Sequence, residues 1–390
     1  MKIIFKFLLL ACILSFAGSA FAGEATMKGE IEQLKQRVDK LEQKSSMLDK
    51  IGLGGTVAGA YQYQRSNADG VDDFGRGAVV FQPEISIRPT ENDEVFFKLG
   101  FGAGNGLNND KYAFVLAPWA ADLEDDVKDI NGRNRDYLFN VWGKHRFSFG
   151  SDQSLSITGG IIDSTDYLDE NAYANDEFTQ FMNEAFVNSP IALLPSYDIG
   201  GALEWKCGGF SAKAVFMGVG ENEEGNPYNF YGVQFAYGVE TCVGRGIYRV
   251  AMDETTKDFT KPSGGRARLQ GVTVSCDQEL GEILGAWIRV GWQADDALVD
   301  FDELYSGGIN ISGKLWGRGQ DNIGVGYAYL DGANSDLDKS QVAEGYVRFG
   351  LSEVYALTLD VQYLKDDYKS NSGQDDVDGW VTGVRMTMNF

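Results

Sequence analysis

Histidine is almost missing from this chain of 390 residues. His145 stands alone, so a His-rich zinc site is excluded and a Ser-His hydrolase has a single candidate base. By phase that residue falls on an apolar face between Gly143 and Phe147, an interface-facing position rather than a catalytic one. Proline is scarce at 7 residues, against 49 Gly, 24 Phe, 18 Tyr and 7 Trp. Beyond the N-terminus no segment has the roughly 18 consecutive apolar residues that a membrane helix needs. Basic charge is short as well, 34 Lys and Arg against 57 Asp and Glu. Such a balance repels nucleic acid and anionic lipid and argues against both as partners. The Asp-Asp and Asp-x-Asn pairs scattered through the loops lack the spacing of an EF-hand. No enzymatic activity and no cofactor are expected.

Cysteine is sparse, and one of the four, Cys12, lies in a stretch that reads as a secretory leader over residues 1–22. Lys2 and Lys6 give its positive start, Phe7 to Ala17 its apolar region, and Ala20-Phe21-Ala22 a small-x-small cleavage site before Gly23. Cys207, Cys242 and Cys276 then remain, each read at a strand end. A bridge between Cys207 and Cys242, with Cys276 free, and three unpaired thiols are both open. Removing the leader takes two basic residues and no acidic one, leaving 32 against 57. An exported chain without a membrane helix can enter a bilayer only as a closed sheet.

What is present is periodicity. Over residues 27–50, Met27, Ile31, Leu34, Val38, Leu41 and Leu48 follow a 4-3-4-3-7 spacing, which predicts a short helix with a coiled-coil seam on the periplasmic side. Its seam leans toward a dimer, though trimerisation of an attached barrel could override that. A helix lying on its own barrel is the alternative. From Ile51 the period becomes two. Ile51, Leu53, Val57, Tyr61 and Tyr63 share one face, Thr56, Gln62 and Gln64 the other.

Strands are expected at 51–64, 78–88, 92–103, 134–149 and 153–162, then at 197–207, 210–220, 230–241, 246–253, 266–276, 283–294, 304–315, 321–331, 341–350, 355–365 and 379–390. Connections alternate between short and long, as periplasmic turns and outer loops do in outer-membrane barrels. In the last strand Trp380, Thr382, Val384, Met386, Met388 and Phe390 point one way, and Val381, Gly383, Arg385, Thr387 and Asn389 the other. The expected fold class is therefore all-β, a sixteen-stranded antiparallel transmembrane β-barrel over 51–390 with the N-terminal periplasmic helix as a prefix. A mean hydropathy of -0.24 fits a wall with lipid on one side and water on the other. A β-sandwich would alternate too, but without aromatics at both ends of so many segments.

Alternation stops between residues 163 and 196. A connection this long is usually functional or disordered, and Tyr167, Tyr173, Phe178, Phe181, Phe186 and Leu193 give it enough apolar mass to pack. We read it as a constriction loop folded into the pore, with an ordinary surface loop as the alternative. A sugar needs amides or carboxylates for its hydroxyls and aromatic rings for its CH faces. Asp166, Asn171, Asn175, Asp176, Gln180 and Asn183 supply the first, and Tyr167, Tyr173, Phe178 and Phe181 the second. The same chemistry suits amino acids and other small polar solutes.

The polar phase of the strands turns Arg88, Lys98, Lys144, Arg146, Lys206, Lys213, Arg249, Arg266, Arg268, Arg289, Lys314, Arg348 and Arg385 toward the lumen, with Glu84, Glu204, Glu240, Glu344 and Asp360 as the acids. Of these, Lys144, Arg146, Arg249, Arg266, Arg268 and Arg289 are the candidate pore-lining cations. A basic wall opposite an acidic loop would set a transverse field across the constriction. Charge pairs that merely keep the lumen hydrated are the plainer reading.

At the loop the chain also resembles a known family. Asp166-Tyr167-Leu168-Asp169-Glu170-Asn171, followed by Ala172-Tyr173-Ala174-Asn175-Asp176-Glu177-Phe178-Thr179-Gln180-Phe181-Met182-Asn183 and a restart at Pro195-Ser196-Tyr197-Asp198-Ile199-Gly200, looks like the central motif of the carbohydrate-selective porins of the OprB type. Outside the loop the likeness is that of barrel grammar. The resemblance implies a channel in the outer membrane of a Gram-negative bacterium, for passive uptake of sugars, narrowed by the loop after the fifth strand. Outer-membrane lipid and sister subunits, a trimer among the arrangements, would be the partners. A general, weakly cation-selective diffusion porin and a plugged barrel tethered to the cell wall are the two competing readings.

Overall fold

The computed structural model describes residues 35 and 37 and residues 49–390, apart from 69, 129 and 134–136. Chain contacts divide it into two units, Met1–Ile51 and Gly52–Phe390. In the first, Lys35 and Arg37 are helical. The leader at 1–22 and most of the coiled-coil segment at 27–50 lie outside the described residues.

The second unit is a closed antiparallel barrel. Its first five strands are Ile51–Ser66, Phe74–Ile87, Asp93–Leu99 continued by Phe101–Ala103, Leu138–Ser148 and Gln153–Ile162. The sixth to tenth are Asp198–Cys207, Phe210–Val219, Tyr228–Thr241, Gly244–Thr255 and Gln270–Leu280. The eleventh to sixteenth are Leu284–Gln293, Phe301–Ser312, Asn322–Gly332, Leu337–Gly350, Tyr355–Tyr368 and Val377–Asn389. Each pairs with its sequence neighbours, and the sixteenth returns to the first in a register that runs from Thr56 opposite Asn389 to Ser66 opposite Gly379. Closure leaves no sheet edge, so every strand has a partner on both sides.

Alternation sorts the side chains as expected. Tyr61, Phe216, Tyr231, Trp292, Val325, Leu359, Trp380 and Met386 are exposed on the outside, where hydrocarbon would cover them. Gln62, Gln64, Thr358, Gln362, Val381, Arg385 and Thr387 are buried on the inside. Among the described residues no helix is long and apolar enough to cross a membrane.

Several sequence expectations shift. The tenth strand begins at Gln270 rather than 266, and the twelfth ends at Ser312, so Lys314 sits in a 3-10 turn over Gly313–Trp316 instead of facing the lumen. Arg266 belongs to a separate two-stranded hairpin, Phe259–Thr260 with Arg266–Ala267, and pairs with Glu224 of a neighbouring loop. Arg268 follows that hairpin and pairs with Glu254. Neither arginine lines the barrel. Alternation could not reveal this, because sliding a strand by an even number of residues keeps every side chain on its own face.

All three cysteines are free thiols, and Cys276 lies within the tenth strand rather than at its end. Cys207 ends the sixth strand and Cys242 follows the eighth. Two strand spacings of about 4.8 Å separate their strands, more than the roughly 7 Å between Cα atoms that a bridge spans.

Gly100 interrupts the third strand. A Cβ there would fall 2.0 Å from the Phe139 ring, which lies across the gap and stacks on Tyr197 at 4.2 Å. Residues on either side of the long connections are thereby clamped together at the wall.

Candidate functional site

The segment from Asp163 to Tyr197 lies inside the barrel and holds itself in shape with its own polar groups. Asp163 caps a 3-10 turn over Ser164–Asp166, its carboxylate accepting from Thr165 N at 2.9 Å. Asn183 caps a short helix over Glu184–Val187, accepting from Ala185 N at 3.0 Å. Asp176 accepts from the backbone of Phe178 and Thr179, and Gln180 closes a turn between Asn175 N and the Ala172 carbonyl. These are the side-chain to backbone bonds by which Asp and Asn build turns.

The wall then grips the segment from many directions. Gln234 of the eighth strand donates to the Tyr167 carbonyl at 3.2 Å. On the tenth strand, Ser275 Oγ accepts from Asn171 at 3.0 Å, and Asp277 accepts from Ala172 N. Arg289 of the eleventh donates to the carbonyls of Asp169, Ala174 and Phe186 and forms an ion pair with the Asp169 carboxylate. Glu344 of the fourteenth accepts from Met182 N at 2.6 Å and Asn183 N at 3.0 Å. Gln362 accepts from the Asn183 amide, and Arg385 donates to the Glu177 and Gln180 carbonyls. Phe181 and Phe186 pack against Trp287 and Tyr346 in an apolar cluster on the same side.

A second insertion escapes the sequence reading, which takes residues 104–133 for a long connection between strands. Trp119, Ala121 and Leu123 are buried with Phe178 and Met182 of the first insertion and with Ala58 and Ala60 of the wall. Leu107, Phe114 and Leu116 join the Phe181 cluster. Gln62 and Gln362 both donate to the Pro118 carbonyl, at 2.9 and 2.8 Å, and Trp119 Nε1 donates to the Glu177 carbonyl at 3.0 Å. The two insertions also exchange backbone bonds, Ala120 N to Met182 O and Glu184 N to Ala117 O. The signal was a run of large apolar residues without any strand period.

Together the insertions pack against much of the wall, Tyr167 and Leu168 on the sixth to eighth strands, Asn171 and Ala172 on the tenth, and the rest on the eleventh to sixteenth and the first. Space remains between these contacts. One chamber of about 260 Å³ is lined by Glu84, Phe96, Lys98, Asn140, Trp142, Lys144, Asp166, Tyr167 and Glu204. Phe96 and Trp142 stack at 5.0 Å, and the Lys144 ammonium sits 5.0 Å over the Trp142 ring and 3.1 Å from Glu204. A second chamber of about 360 Å³ lies toward the short-turn end, lined by Glu170, Lys206, Lys213, Glu240, Arg245 and Arg249 among others.

Electrostatics concentrate in the insertions beside the first chamber. Asp166 is open to the chamber's water yet walled in by protein. That burial pushes its carboxyl up to about 7, with the Asp163 charge reinforcing the shift and Lys98 and Lys144 opposing it. Burial likewise raises Glu177 to about 8 and Asp122 to about 6, the latter held down in part by the Tyr197 hydroxyl at 2.7 Å.

The candidate residues therefore divide. Asp166, Tyr167 and Lys144 meet in the first chamber and Arg249 lines the second. Asn171, Asn175, Asp176, Gln180 and Asn183 build or anchor the insertion, while Phe178, Phe181 and the half-buried Tyr173 pack within it. Arg289 is fully buried behind it. Arg146 stays exposed, opposite Ser156, outside both chamber linings. The basic wall facing an acidic loop resolves into direct pairs, Lys144 with Glu204, Lys213 with Glu170, Arg249 with Asp277 and Arg289 with Asp169. Phe96, Asn140 and Trp142 were not among the candidates, although the phase of the fourth strand already placed Asn140 and Trp142 beside Lys144.

No family model matches the sequence. An uncharacterized protein of Aquifex aeolicus (strain VF5) is 29% identical over 317 residues, which cover 80% of this chain and 87% of that protein. Among solved structures, Pseudomonas putida OprB in its high-pH form is similar with a TM-score of 0.68 at 15% identity, covering 90% of this chain and 97% of OprB. Its low-pH form gives 0.56 at 14% identity with the same coverage. A variant of the Rh. blastica porin gives 0.50 at 12% identity, covering 87% of this chain and all of that one. Identities this low speak for the fold alone, and the fold is a sixteen-stranded antiparallel barrel similar to that of OprB.

Proposed function

We propose that this protein is a channel of the bacterial outer membrane through which small polar solutes, sugars foremost, diffuse passively into the periplasm. The observation that carries this reading is the stacked pair of Phe96 and Trp142, set among Glu84, Lys98, Lys144, Asp166 and Glu204 in the space the insertions leave open. Aromatic faces bind the CH surface of a pyranose, and the ion-paired rim offers hydroxyls both donors and acceptors. The exposed apolar exterior supports residence in a bilayer.

Liposome swelling tests it. Mono- and disaccharides should enter faster than zwitterions of similar size. Equal rates would make the barrel a general diffusion pore, and an impermeable barrel would end the proposal.

A further inference from the structure

The second chamber has a charge character that the first lacks. It presents four cations, Lys206, Lys213, Arg245 and Arg249, against the carboxylates of Glu170 and Glu240. Two of the cations are already committed. Lys213 lies 2.7 Å from Glu170, and Arg249 pairs with Asp277. The Lys206 ammonium and the Arg245 guanidinium have no acceptor among the described residues, and both are exposed.

Register explains why they face one space. Lys206 lies opposite Ser211, Ser211 opposite Ala236, and Ala236 opposite Arg249, so one row of inward positions crosses the sixth to ninth strands. Arg245 and Glu240 face each other toward the turn of the eighth and ninth strands, on the same phase as that row. A chain so acidic as a whole has thus left two cations outside any ion pair at this end of the lumen, with Glu240 as the neighbouring carboxylate. The volume of about 360 Å³ falls within the range of about 300–1,000 Å³ seen for small-molecule sites.

We propose that this chamber is a binding site for monosaccharides bearing one anionic group, a carboxylate or a phosphate. The anionic group sits between Lys206 and Arg245, where charge-assisted bonds are strongest, and the sugar hydroxyls donate to Glu240 or bond to Ser211. This rests on the channel reading for its physiological meaning but not for its test.

Titration calorimetry on the detergent-solubilised full chain, with gluconate, glucose 6-phosphate and glucose as probes, decides it. At least one anionic probe should bind about tenfold tighter than glucose, and the one that does so names the anionic group. Its affinity should fall by about that factor in the Lys206→Gln, Arg245→Gln double variant, and should weaken with added salt in the unaltered protein. Glucose-driven liposome swelling, measured on the same variant, should stay as it was. Anionic probes that bind no tighter than glucose, or a double variant that binds them like the parent, would overturn the site. Swelling that fails in the unaltered protein while anion binding persists would remove the channel reading and leave the site standing.

Discussion

The Asp169 carboxylate lies 3.0 Å from Arg289 Nε, and neither side chain reaches solvent by more than 1% of its surface. One belongs to the inserted loop and the other to the eleventh strand, so this ion pair fastens the loop to the wall. Asp169 adopts the left-handed backbone conformation that aspartate tolerates, and its second oxygen accepts from Ser189 N at 2.7 Å. Arg289→Met should strand a buried carboxylate, costing about 3–5 kcal/mol. Urea unfolding in vesicles should show the loss, and single-channel records should show larger, noisier currents as the loop works free. Quiet currents of parental size would mean the loop is held elsewhere.

Asp166 sets a pH dependence. Burial, with the charges of Asp163 and Glu84, pushes its carboxyl up to about 7 against the opposing pull of Lys98 and Lys144. Below that pH it is neutral, and above it adds a negative charge to the first chamber. The ratio of cation to anion permeability should therefore rise between pH 5 and 9, with a step near 7 that Asp166→Asn removes. Reversal potentials under a salt gradient give the ratio directly.

Trp119 is buried between the two insertions and bonded to the Glu177 carbonyl. Trp119→Ala should cost about 3–5 kcal/mol by opening a cavity. If the second insertion helps to fill the lumen, conductance should increase as well. Parental conductance in a destabilised variant would confine Trp119 to a packing role.

Replacing Phe96 and Trp142 by Ala should slow sugar entry relative to zwitterion entry, because it removes the apolar faces on which the CH surface of a sugar would lie. The wall should persist, since both side chains face water-filled space. Replacing Asn171, Gln180 and Asn183 together has a different expected outcome. These amides hold the insertion in place, so their loss should raise conductance and blunt selectivity at once.

The barrel was legible because a membrane wall obliges each strand to alternate, and alternation is visible one residue at a time. Tyr61 and Tyr63 against Gln62 and Gln64 settle a face without any partner in view. Strand ends were less legible, since Arg266 and Arg268 continue the polar phase of the tenth strand into a loop hairpin. The inserted segment announced itself by breaking the period, yet its side chains misled. Asn171 and Asn183 carry donors and acceptors suited to a sugar, and sequence alone cannot say that Ser275 and Gln362 already occupy them. The pairing of Lys144 with Glu204 and the stacking of Phe96 on Trp142 depend on which strands curve toward each other. The stretch from Leu107 to Leu123 stayed hidden because irregular backbone inside a lumen has no repeat to read, and Trp119 becomes conspicuous when the neighbouring insertion is seen to surround it.

The seam where Thr56 through Ser66 meets Asn389 through Gly379 has a consequence for biogenesis. Until the final hairpin docks, the opening segment of the wall has a whole row of bare peptide groups that hydrocarbon would punish. In bare lipid, hairpins lodged one at a time would carry that row unpaired until the last one arrived, so the meeting of the first and sixteenth strands is the step that finally shelters the whole cylinder.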